Sequence, residues 1–159
     1  MKYHPFILVA LATLIWCSCG KDDFVDPKSA LLKSVPADRY YKTDPLVGPN
    51  AQLYGVWEAV GSSGGLHGGG YALDFDFLLF KPNAIFGVVR NDSLVAWGKL
   101  DILEDPAFDL LFNFVPEGDP QASGVHIMHD RQKFAVFRSD TLFLNSPCCD
   151  RLNTVLARR

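Results

Sequence analysis

From Leu53 onward the chain repeats one pattern: a short run in which apolar and polar side chains alternate, a few turn-forming residues, then another such run. "YALDFDFLLF" is the clearest case. It sets Tyr71, Leu73, Phe75, Phe77 and Leu79 on one face and Asp74 and Asp76 on the other, the two-residue period of a half-buried strand. "KPN" then turns the chain into "AIFGVVR", "NDS" into "LVAWGKLDIL", and "EDPA" into "FDLLFNFV", with the residue types that favour tight turns. After the polar loop "PEGDPQASG" come "VHIM", "KFAVFR", "TLFLN" and "RLNTVLA", and "LYGVWEAV" precedes them all. About eight strands at such spacing, with no run of convincing helical period, predict an all-β fold. The expected form is an antiparallel meander closed as a barrel.

A chain of 159 residues, 48% hydrophobic and 21% charged, is enough for one globular domain with a real core. Its net charge is −3 and its only basic cluster is the terminal Arg158 and Arg159. That leaves no electrostatic footprint for nucleic acid.

The N-terminus reads as a separate region. In "MKYHPFILVALATLIWCSCGKDD", Lys2 precedes an apolar stretch from Phe6 to Trp16, which is too short for a membrane span of about 20 residues and has the layout of a secretion signal. The small residue Ser18 before Cys19 resembles the box that ends bacterial lipoprotein signals. The resemblance implies a signal peptide over 1–18 and a diacylated, palmitate-bearing Cys19, with Trp16 standing where Leu is usual. "GKDD" after Cys19 resembles the acidic signal that carries some lipoproteins to the outer face of the outer membrane. Two or more acyl chains anchor a protein stably. Residues 19–50, broken by Pro27, Pro36, Pro45 and Pro49, read as a linker with a short turn of helix at "SALLKS". Extended, it would carry the domain at 51–159 several tens of ångströms from the lipid, at about 3 Å per residue.

"LYGVWEAV", with Gly55 and Trp57 two apart, resembles the first strand of lipocalins and related calycin barrels, in which this Trp packs at the closed end beside a base. "GGGYALDFDFLLF", "GKLDIL" and "NSPCCDRLN" resemble segments of short lipocalin-like bacterial outer-membrane lipoproteins, a group that brings no assigned function with it. The resemblance implies a lipocalin-like barrel, without the C-terminal helix of full lipocalins or the helical lid of fatty-acid-binding proteins.

The alternation points Trp57, Tyr71, Phe75, Phe77, Phe108, Phe112, Phe114 and Phe134 inward. An eight-stranded barrel is just wide enough to be filled by side chains or to hold one small ligand. These aromatics are therefore either a ligand-contacting wall or a plug. Two functions follow: an anchored binder of a small apolar molecule in or at the mouth of the barrel, and a filled interaction module that docks to an envelope protein.

Catalytic and metal signals are sparse. "GSSGGLHGGG" lacks the Lys-Ser/Thr ending and following helix of a phosphate loop and reads as a mobile rim. Asp74 and Asp76 read as a solvent face. His126, His129 and Asp130 in "HIMHD" lack a third ligand and a base, and read as exposed polar residues. No cofactor or metal is expected, and no nucleophile constellation is visible. Cys148 and Cys149 would be the only thiols left in the mature chain. A bond between them fixes or senses a turn and is strained, because adjacent Cα atoms lie closer than the roughly 4.4–6.8 Å of ordinary disulfides. The alternative is two thiols packed at that turn.

Overall fold

The computed structural model describes residues 27–34, 48–64, 70–82, 84–105, 109–119, 121–148 and 151–159. Eight strands follow one another around a closed antiparallel barrel: β1 (Gly55–Gly64), β2 (Phe77–Phe80), β3 (Ile85–Arg90), β4 (Ser93–Asp105), β5 (Asp109–Pro116), β6 (Gln132–Arg138), β7 (Thr141–Asn145) and β8 (Leu152–Arg158). Each pairs with the next, and β8 returns to β1, from Trp57↔Arg158 to Gly64↔Leu152. Closure pairs each of the eight described strands on both sides. The expected meander is thus the observed fold. Asn91 and Asp92, at φ +50° and +57°, make the two-residue β3–β4 turn whose twist matches that of paired strands.

The lumen is lined mainly by apolar side chains. Leu78, Phe80, Phe86, Leu100, Phe112 and Phe114 are buried within one cluster, and their rings meet edge to face. Phe86 and Phe114 lie 5.0 Å apart, Phe80 and Phe112 6.2 Å, the geometry that aromatic quadrupoles favour.

The inward assignment needs three corrections. Bends at Asp74 and Asp76 interrupt the long strand expected over 71–80, so β2 begins only at Phe77. Phe75 faces the lumen before the bend and Leu78 and Phe80 after it, leaving Phe77 on the outer surface with Val56, Leu79, Ile85 and Val89. Tyr71, upstream of the bends, is 40% exposed. On β6 the inward residues are Lys133, Ala135 and Phe137, so Phe134, between two of them and opposite Leu111, is half-buried outside. Both faces of "QKFAVFR" mix apolar and charged residues, and alternation alone selects neither.

The two ends differ. A 3-10 helix over Gly48–Leu53 closes the end where β1 starts and β8 finishes. The Trp57 indole N–H donates to the Leu53 carbonyl at 2.7 Å, and the Arg158 guanidinium lies 4.7 Å from the Trp57 ring centroid, a cation–π distance. The expected pairing of this Trp with a base at a closed end is present. At the other end the β5–β6 connection folds inward as α2 (His126–His129), and Val125, Ile127 and Met128 are buried in the lumen cluster. "VHIM" is therefore not a strand but a plug.

Outside the barrel, α1 (Pro27–Ser34) lies in the segment read as linker. Its Leu31 and Leu32 pack on the cluster formed by Val56, Leu79, Ile85 and Val89.

Candidate functional site

In an up-and-down barrel alternate connections share an end. The β1–β2, β3–β4, β5–β6 and β7–β8 connections all lie at the plugged end. Topology thus gathers Asp74, Asp76, His126, His129, Asp130 and Cys148, which are far apart in sequence, around one mouth.

Two networks hold the plug. In the first, the His126 backbone N–H donates to Asp74 Oδ2 at 2.7 Å and its Nδ1 lies 2.6 Å from Asp74 Oδ1. His126 Nε2 is 3.1 Å from Thr154 Oγ1 on β8. Burial works against ionisation of Asp74, but the ring and backbone hydrogen bonds of His126 outweigh it and hold the carboxyl below its usual range. The order carboxylate, imidazole, hydroxyl has the sequence of a proton relay. Thr154, however, is fully buried, so no reacting atom can approach its oxygen, and the chain of bonds works as a latch between the β1–β2 segment, the plug and β8.

The second network centres on Asp130, directly after α2. Its Oδ2 accepts from Lys133 Nζ at 2.7 Å and, through a short bond, from the Ser146 hydroxyl; its Oδ1 accepts from the Arg151 guanidinium at 2.8 Å. Lys133 Nζ also donates to the Leu152 carbonyl at 3.1 Å. The Lys133 side chain is 0% exposed and that of Asp130 12%, against 52% for Arg151. Burial lowers the Lys133 pKa, with Asp130 partly restoring it. Burial also opposes the Asp130 charge, yet the bonds from Lys133 and Ser146 and the nearby cations keep that carboxyl below its usual range.

Between these networks and the β8 wall opens a cleft of about 330 Å³ lined by His126, His129, Asp130, Lys133, Arg151 and Leu152. Its volume is at the lower end of those that enclose small molecules. Gly64 makes the wall possible: at φ +124°, its backbone passes so close that a Cβ there would meet the Arg151 carbonyl oxygen.

Comparison with family models, curated proteins and solved structures gives no match. The site must be read from its own geometry.

Of the residues singled out in the sequence, Trp57, Phe75, Phe112 and Phe114 lie in the lumen. Tyr71, Phe77 and Phe134 lie outside it. Phe108, Cys19, the middle of the glycine-rich loop and Cys149 fall outside the described residues, and with Cys149 the vicinal bond; Cys148 is exposed. Asp74 and Asp76 do not work as a pair. Asp74 receives His126, while Asp76 caps the β3–β4 turn by accepting the Asn91 N–H at 2.6 Å. His126 is not the exposed residue expected: its side chain is 17% exposed and bonded at both ring nitrogens. Among the described residues no three His, Cys, Asp or Glu side chains converge as a metal site requires. Sequence reasoning missed Lys133, Ser146, Arg151 and Thr154. Only the spacing of Asp130 and Lys133 by three residues signalled any of them.

Proposed function

We propose that this protein is a lipid-anchored, lipocalin-like barrel that binds a small molecule with an apolar body at its plugged mouth. The carrying observation is the cleft of about 330 Å³, open to solvent and floored by a satisfied polar network. The packed aromatic rings below the plug support a contact surface at the mouth rather than a ligand threaded through the lumen. Anchoring through Cys19 in the outer membrane, with the barrel on the cell surface, rests on the lipoprotein-like N-terminus.

Native mass spectrometry of the intact protein, gently extracted from its membrane, tests the binding reading. A reproducible adduct of a few hundred daltons is expected, reduced in a His129→Trp protein whose indole fills the cleft. A wild-type protein that is consistently empty, even after incubation with envelope extract, would count against it. For the anchor, a palmitate analogue should label wild type and not Cys19→Ser; equal labelling refutes the assignment.

A further inference from the structure

We infer that the cleft selects a small organic monoanion, a carboxylate on an apolar body, with Arg151 and His129 as the residues that meet it. This rests on the mouth-binding reading and adds the charge of the ligand. The cleft is lined by two cationic side chains, Lys133 and Arg151, and one carboxylate, Asp130, while the neighbouring Asp74 carboxylate is taken up by the backbone N–H and ring of His126. Asp130 is nearly buried and already accepts from Lys133, Ser146 and Arg151, so its charge is directed into the protein. Lys133 is wholly buried and committed to Asp130 and the Leu152 carbonyl. The cation left facing the cleft is therefore Arg151.

Arg151 is also the group with capacity to spare. A guanidinium carries five N–H donors in a planar fork that fits a carboxylate. Among the described residues its side chain bonds only from one terminal nitrogen to Asp130, and the rest of the fork is half exposed at the cleft. His129, exposed and lining the same cleft, has no side-chain hydrogen bond among the described residues and can donate a ring N–H to the same anion. A dianion would find only one guanidinium with donors to spare, and a cation would face Arg151 directly. Leu152 supplies the apolar contact for the body of the ligand.

The test uses the intact isotope-labelled protein in lipid nanodiscs, titrated separately with benzoate, its neutral isostere benzamide, and inorganic phosphate. Amide resonances of residues 126–130 and 151–152 report binding. Benzoate is expected to saturate these shifts about tenfold more tightly than benzamide, the effect of one charge-assisted hydrogen bond. In Arg151→Gln, with amide dispersion confirming the fold, benzoate should fall to the benzamide level. Equal titration by benzoate and benzamide overturns the charge selection and leaves mouth binding standing. Tighter binding of phosphate overturns the monoanion assignment. If none of the three moves these amides, both the selection and the mouth reading fail.

Discussion

Replacing Asp130 with alanine puts the mouth network to its most direct test. The substitution removes the carboxylate from a lysine whose side chain has no exposed surface and leaves the ammonium, among the described residues, with the Leu152 carbonyl alone. Breaking a buried pair by removing one partner costs about 3–5 kcal/mol, because the surviving charge stays desolvated. The loss of Arg151 from Asp130 adds little, since that guanidinium is half exposed and such pairs contribute at most about 1 kcal/mol. With a urea m-value of about 2 kcal/mol/M, the unfolding midpoint should fall by roughly 2 M. The second arm adds Lys133→Met. Methionine fills similar space without a charge, so the double variant should recover most of the loss, as replacement of buried ion pairs by apolar residues is often neutral or stabilising. Urea denaturation of the four proteins of this cycle measures the coupling directly. An Asp130→Ala midpoint within roughly 0.5 M of wild type, or no recovery in the double variant, would show that Asp130 does not hold the buried Lys133 charge.

The depressed carboxyls of Asp74 and Asp130 predict an acid limit. Both bind protons more weakly folded than unfolded, so their stabilisation is complete above the unfolded value near 3.9 and disappears as pH falls through the folded values. Thermal midpoints should decline below about pH 4 and do so less steeply in Asp74→Asn; an unchanged slope in that variant would remove Asp74 from the account. Gly98→Ala should cost about 2–3 kcal/mol in chemical denaturation, because its Cβ would lie 2.1 Å from the Val115 carbonyl oxygen and 2.7 Å from Pro116 Cα, both backbone atoms that cannot rotate away. A near-neutral effect would mean that β4 and β5 can separate there. The double change Leu31→Asp and Leu32→Asp should release α1 from Phe77, Ile85 and Val89, producing protease cleavage within 27–34 while the far-ultraviolet spectrum of the barrel is unchanged; continued protection would show that the two leucines do not hold the helix.

The barrel was legible because nearly every strand announces itself twice, by alternation and by the turn residues that bound it. β3 to β5 and β7 to β8 coincide closely with the runs "AIFGVVR", "LVAWGKLDIL", "FDLLFNFV", "TLFLN" and "RLNTVLA". Where the pattern misled, a local polar interaction overrode the period. Asp74 turns toward the His126 N–H, Asp76 toward the Asn91 N–H, and the resulting bends move Phe77 to the outside. On β6 the ammonium of Lys133 is satisfied at the mouth by Asp130 and Leu152, which lets a charged residue take the inward position and sends Phe134 out. The site itself could not be read from spacing. Asp74 and His126 are 52 residues apart, and Thr154 joins them only because closure places β8 beside β1. Sequence displays the members of such a constellation; the shear and closure of the barrel decide which of them meet.

The outer helix changes what the N-terminal region can do. If Cys19 carries the lipid, as proposed above, the tether relevant to reach ends where α1 begins at Pro27, not at residue 50. Eight residue steps span at most about 28 Å when fully extended. The anchor would therefore hold the barrel close to the lipid surface rather than several tens of ångströms away. The docking position also sets an orientation. Val56 and Ile85, which Leu31 and Leu32 cover, stand at the starts of β1 and β3, the closed end that Leu53, Trp57 and Arg158 seal. The cleft between His129 and Arg151 opens at the opposite end. An anchor leading into α1 would thus place the sealed end toward the membrane and leave the mouth facing solvent, where a water-soluble anion can reach Arg151 without crossing the lipid headgroups. Release of α1 would lengthen the tether and free that orientation, so the barrel of the Leu31→Asp and Leu32→Asp protein should still bind at the mouth while its distance from the bilayer increases.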